Sequence, residues 1–229
     1  MRAEETNEDP NEETNTVRAL QGLESSSSSV RLRAALAVGA AADARSVDML
    51  IERCAVEPDF HVRDMLTWAL TRHSSSVTVP KLVEVLGSEC AQARGQALHT
   101  LSKIGDRRAW PAITRALLAD ADDEVARCAW RTAVVLVPEG EEAGLAGVLA
   151  TQLGRGGREV QLSLSRALVA LGEVVVPVLR AAVTDPAPRV RRHAIATERL
   201  LRDPDAGFGF AIEEAKRIVA LGTTGSREE

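Results

Sequence analysis

The side chains whose type and placement could do chemistry are mostly arginines. Arg72, Lys103, Arg127, Arg131, Arg166 and Arg192, with Asp64, Trp68 and His99, fall at positions 2, 6 or 10 of a recurring phrase in this 229-residue chain. A guanidinium carries five donors in a planar fork that matches a carboxylate or phosphate, and tryptophan is a large rigid anchor. That chemistry is recognition of an anion rather than bond making. Catalytic signatures are missing: no G-x-S-x-G, no H-E-x-x-H and no phosphate-binding loop occurs. Gly207-x-Gly209 runs on to Ile212 where a dinucleotide fingerprint needs its third glycine. His99 and His193 lack partners at metal-ligand spacing. His61 and His73 are expected at helix ends, in capping or solvated roles. Cys54, Cys90 and Cys128 are dispersed and read as structural thiols. No catalytic residue, metal or cofactor is expected.

The phrase that sets this register is a small or β-branched residue, often followed by Arg, opening an Ala/Leu-rich run. It occurs at Val30, Val62, Ala93, Val125, Val160 and Val190, at intervals of 32, 31, 32, 35 and 30 residues. Periods of this length mean stacked supersecondary units. Apolar or small residues return at offsets 0, 4, 7, 8 and 11, as in Val62, Leu66, Ala69 and Leu70, or Val160, Leu164, Ala167, Leu168 and Leu171. This is a helical stripe. A second apolar helix precedes each anchor, beginning near Val47, Val79, Ala109, Leu145 and Val174. Pro80, Pro111 and Pro177 lie near those starts, where a missing N–H costs least. Gly105 and Gly172 sit where a left-handed cap would close the other helix. Gly154, Gly156 and Gly157 read as a turn. Repeated helix pairs with no strand signal predict an all-α solenoid.

Composition bounds the rest. The net charge is −5, and residues 1–15 carry six carboxylates against Arg2, so the remainder is balanced. Such a segment cannot offset its ordering entropy, which predicts a disordered acidic arm over 1–15 and a flexible tail over 222–229. Three cysteines without C-x-x-C spacing suggest a reducing, cytoplasmic setting. The N-terminus has no apolar run, so neither a signal peptide nor a membrane association is expected.

Units such as VPKLVEVLGSECAQARGQALHTLSKIGD and VVPVLRAAVTDPAPRVRRHAIATERLL resemble HEAT repeats, of the short bacterial kind also seen in phycobiliprotein lyases. The resemblance spans roughly residues 16–221. It implies a right-handed α-solenoid of about six helix pairs with a capping C-terminal helix over 205–221. It also implies a ladder between repeats, with Glu57, Asp120 and Asp185 at the acidic place and Arg31, Arg63, Arg94 and Arg191 at the basic one. Ala126 and Gln161 break the pattern, predicting interruptions in the fourth and fifth units. In HEAT-like solenoids the second helices line the concave face. The groove is then Asp64, Trp68, Arg72, His99, Lys103, Arg127, Arg131, Arg166 and Arg192, and offset 6 of the last unit adds Ala196. Trp130 and Trp110 are assigned to packing, as are Phe208 and Phe210 beneath the final helix.

The expected function is a non-catalytic protein-interaction scaffold, monomeric, holding an acidic or helical protein partner in that groove. The acidic arm would compete for it. The alternative is nucleic-acid binding through phosphate contacts. Within it stands an alkylpurine DNA glycosylase-like enzyme, whose basic concave face Asp64, Trp68 and Arg131 resemble in kind. A bilin-handling role follows only from the lyase resemblance and has no pocket residues behind it.

Overall fold

The computed structural model describes residues 17–203 and 207–224, with the side chains of 208, 210 and 220–224 left aside. The acidic arm, the segment 225–229 of the expected tail, and the Phe208 and Phe210 side chains lie outside the described residues. Those residues form helices with no strand among them. The chain divides into two compact units, Met1–Ala109 and Trp110–Glu229.

The first unit holds α1 (17–22), α2 (Ser28–Ala41), α3 (Val47–Val56), α4 (Phe60–Arg72), α5 (Ser75–Val85) and α6 (Ala91–Ile104). The second holds α7 (Arg115–Leu118), α8 (Asp123–Leu136), α9 (Glu142–Ala150), α10 (Arg158–Ala170), α11 (Val176–Ala182), α12 (Pro188–Arg202) and α13 (Phe208–Thr224). These are six helix pairs and a final helix, the all-α solenoid class that the repeat predicts. Odd-numbered helices open each pair. The second helices α2, α4 and α6 pack in succession, as do α8, α10 and α12.

The starts are set by local chemistry. Asp59 caps α4 by accepting from the His61 and Val62 amides, and Asp122 caps α8 through the Glu124 and Val125 amides. Gly105 ends α6 with φ 70°, in the left-handed conformation expected of it. The inward stripe is also as expected. Val62, Leu66, Ala69 and Leu70 are fully buried, and so are Leu164 and Leu168. Thr100, Thr132 and Thr197 share that stripe, each returning its hydroxyl to the carbonyl four residues back.

Two expectations about helix starts fail. Pro80 lies inside α5, which begins a turn earlier than expected, at Ser75. The fourth opening helix is broken. Arg107–Ala112 is a 3-10 turn containing Pro111, and α7 restarts for a single turn behind Thr114, whose hydroxyl accepts from the Leu117 amide. Proline removes one ladder hydrogen bond and crowds the preceding turn, so Trp110-Pro111 splits this helix instead of opening it.

In the first unit α2 and α4 approach closely at Gly39. A Cβ there would lie 2.6 Å from the Trp68 ring and 2.7 Å from the Ala69 backbone. In the second unit α13 packs on α12 around Ala196, Leu200, Ala211 and Ala215, with Leu162, Val169, Ile195 and Ile212 at the margin. Ala196 is therefore core, not groove: the capping helix lies across that part of the second-helix face. Arg199 and Glu214 tie the two helices by an ion pair.

Candidate ligand-binding faces

The expected ladder arginines share one role that spacing did not reveal. Each reaches back from the start of its helix to the two carbonyls of the preceding turn. Arg31 Nη1 donates to Ser25 and Ser26, Arg63 to Glu57 and Pro58, Arg94 to Ser88 and Glu89, and Arg191 to Asp185 and Pro186. The offsets are six and five residues every time. These carbonyls lie in the turn that joins the opening helix to the second one, where no helical amide reaches them, so the guanidinium satisfies them. Gln161 keeps one such bond, from Nε2 to the Gly156 carbonyl at 3.2 Å. Where Ala126 has no side chain to offer, Arg155 arrives from the next turn and donates to the Asp120 carbonyl. Arg155 also pairs with Asp123 and lies 5.9 Å above the Trp130 ring. The expected interruption is repaired from outside the repeat.

Carboxylates at the acidic place do two things. Asp120 and Asp185 accept from the amides two residues on and shape their turns. Glu57 makes a buried rung: Arg31 binds it through Nε and Nη2, both at 2.7 Å. Arg53 adds Nη2 at 2.8 Å, and the Asp59 amide donates at 2.9 Å. Burial pushes the Glu57 carboxyl up, yet the hydrogen bonds from Arg31, Asp59 and Arg53 outweigh it and bring it down to about 2.

The groove residues fall within each unit as follows. In the first, Asp64, Trp68, Arg72 and Lys103 are exposed and His99 is half-buried. Trp68 shows 37% of its surface and Leu36 46%. In the second, Arg131 and Arg166 are exposed, whereas Arg127 and Arg192 are half-buried. Arg127 and Arg131 on α8 and Arg166 on α10 line one cleft of about 80 Å³, with Glu159, Leu162 and Ser163. Arg127 donates to Glu124 at 2.5 Å while its Nε is buried without a hydrogen-bond partner. Arg131 donates to the Cys128 sulfur at 3.0 Å. Neither Arg131 nor Arg166 has a carboxylate partner among the described residues, so two cationic heads face water beside a third.

The remaining chemistry-bearing groups are mostly structural. His193 is fully buried; its Nδ1 accepts from the Gly154 amide at 3.0 Å, so Nε2 carries the proton toward the Gln161 carbonyl and Ser165. Burial lowers its pKa to about 4, partly opposed by the bond to Gln161. His73 stands at the end of α4 as expected and its ring bonds the Ala69 carbonyl of that last turn, but it is buried rather than solvated and is also bonded to Ser46 and to the Asp43 carbonyl. Burial drives the Cys54 thiol to about 12 and raises Cys128 as well, which disfavours the thiolate in both. Cys90 is exposed. Trp130 is core, as expected, and its Nε1 donates to the Leu118 carbonyl at 2.8 Å. No metal-binding cluster occurs among the described residues.

Trp110 departs from the packing role expected of it. It is half-buried, and its Nε1 donates to Glu141 Oε2 at 2.9 Å. With Ile113, Arg115, Leu118, Gly144 and Val148 it lines a cleft of about 450 Å³ between α7 and α9. A neighbouring cleft of about 380 Å³ shares Arg115, Leu118, Gly144 and Val148 and extends to Gly147 and Thr151. The signal for this site was the Trp-Pro pair in a helix start facing a helix with two glycines, which the repeat pattern reads as ordinary packing.

No helix among the described residues is long and apolar enough to cross a membrane. No curated protein matches the sequence. Among solved structures the chain is similar to human deoxyhypusine hydroxylase in complex with glycerol, at 16% identity and a TM-score of 0.47, over 92% of this chain and 96% of that one. The family model for HEAT repeats matches residues 16–97 and 57–133, together more than half of the sequence. The chain belongs to the HEAT-repeat family.

Proposed function

We propose that this protein is a non-catalytic interaction scaffold whose second-helix faces hold an acidic segment of a protein partner. The observation that carries the reading is the convergence of Arg127, Arg131 and Arg166 on one water-facing cleft, two of them without a carboxylate partner among the described residues. Bidentate guanidinium–carboxylate bonds suit such a cleft, and Trp68 with Leu36 supplies an exposed apolar anchor on the first unit. Glu159 and Glu124 stand among the arginines. A mixed-sequence peptide can set a lysine against them, whereas a uniformly anionic phosphate backbone meets them as repulsion. That favours protein over nucleic acid.

The test is titration of the full chain with a labelled acidic peptide and, separately, duplex DNA, beside an Arg131→Glu/Arg166→Glu variant. Peptide binding that the double variant loses by at least about tenfold supports the reading, since charge-assisted bonds contribute roughly 1.5–3 kcal/mol each. Duplex binding with a log K against log salt slope near about −3 would replace it with the nucleic-acid reading. Peptide affinity equal in both proteins refutes it.

A further inference from the structure

We propose that the cleft between α7 and α9 of the second unit binds a small apolar acid, an aliphatic or aromatic body ending in a carboxylate or sulfonate. This inference uses other residues than the acidic-partner reading and stands apart from it.

The cleft exists because of a defect in the repeat. Opening helices elsewhere run 10 residues in α3, 11 in α5, 9 in α9 and 7 in α11, but α7 has only 4. The missing turns leave α9 uncovered where it carries Gly144 and Gly147, and a Cβ at either would meet nothing within 4 Å. The floor is apolar: Ile113, Leu118 and Leu145 are buried beneath it. Trp110 forms a wall, and its ring is held by the hydrogen bond to Glu141. The adjoining volumes of about 450 and 380 Å³ lie in the range of small-ligand sites, whose walls are mainly apolar with a few polar groups.

Charge selects the ligand. Arg115 lines both volumes, is exposed, and has no carboxylate partner among the described residues. Glu141, the carboxylate of this lining, already accepts from Trp110. The charge left to a ligand is therefore the Arg115 cation on a mainly apolar lining. An apolar body covers Trp110, Leu118 and Val148, and its anionic end accepts from the Arg115 guanidinium.

The experiment uses the full chain with 1-anilinonaphthalene-8-sulfonate as a fluorescent probe, and decanoate and decanol as competitors. Wild type should bind the dye saturably, and decanoate should displace it far better than decanol. Gly147→Leu fills the cleft and should weaken dye binding at least about tenfold. Its thermal midpoint should equal or exceed wild type, because leucine has a better helix propensity than glycine. Lost binding therefore cannot come from lost folding. Arg115→Gln should weaken the dye and decanoate by about tenfold or more and leave decanol unchanged. The proposal is overturned by absent saturable binding, by undiminished binding in Gly147→Leu, or by equal displacement by decanoate and decanol. It is equally overturned if wild type self-associates in sedimentation and Gly147→Leu abolishes this, since a second copy would then own the cleft.

Discussion

Replacing Glu57 by Gln probes the buried rung of the first unit. Glu57 has no exposed side-chain surface, and Arg31 shows 7%. Its carboxyl stands at about 2 against an ordinary 4.5. At 1.36 kcal/mol per unit this ion contributes about 3 kcal/mol at neutral pH. The sign follows from the depressed value: the stability is complete above pH 4.5 and is lost as pH falls through 2. Linkage gives a loss of about 1 kcal/mol by pH 4 and about 2 kcal/mol by pH 3. Glu57→Gln should therefore cost about 3 kcal/mol at pH 7, in line with removing one partner of a buried pair, and only about 1 kcal/mol at pH 3. Urea unfolding followed by far-UV circular dichroism at pH 7, 5 and 3, on both proteins, measures the gap, and other carboxylates cancel in the difference. Parallel pH curves, with an unchanged gap, would refute the assignment of the pair as the source of this stability.

Four further outcomes follow from named contacts. Gly39→Val should destabilise the protein by about 2 kcal/mol or more, because its side chain would enter the Trp68 ring and the Ala69 backbone; a blue-shifted or red-shifted Trp emission should accompany the lower urea midpoint. Arg155→Ala should cost about 1–3 kcal/mol, since it strips the Asp120 carbonyl of its donor, whereas Arg155→Lys should restore only part. His193, held neutral with a pKa near 4, binds its proton more weakly folded than unfolded. Its contribution is complete above pH 6.5 and falls by about 3 kcal/mol toward pH 4, so His193→Gln should flatten stability over that window. Deleting residues 1–15 removes a net −5 charge and should raise affinity for an acidic peptide at low salt, with the gain vanishing at high salt in the same titration.

The regularities of the fold were legible in the chain because they repeat. Val62, Leu66, Ala69 and Leu70 recur at helical spacing in unit after unit, and burial follows directly from that period. Gly105 announced its left-handed cap, since few other residues accept φ 70° without strain. Exposure of Arg131 and Arg166 also followed from helical phase. Apart from Pro80 and Pro111, which fall inside their helices, the departures came where one residue acts across repeats. Ala196 has the phase of a groove residue but is covered by α13, a contact set by the path of the chain after α12 and not by any local period.

Helix pairing, the inward stripe and the cationic phase of the second helices are written in single-helix periodicity, and each can be read one turn at a time. Arg155 filling the place Ala126 leaves empty, Glu57 descending to about 2 between two arginines, and the α7–α9 cleft each depend on residues far apart in the chain. Burial, hydrogen-bond partners and empty space belong to such pairs of distant segments, and packing alone brings those segments to one another.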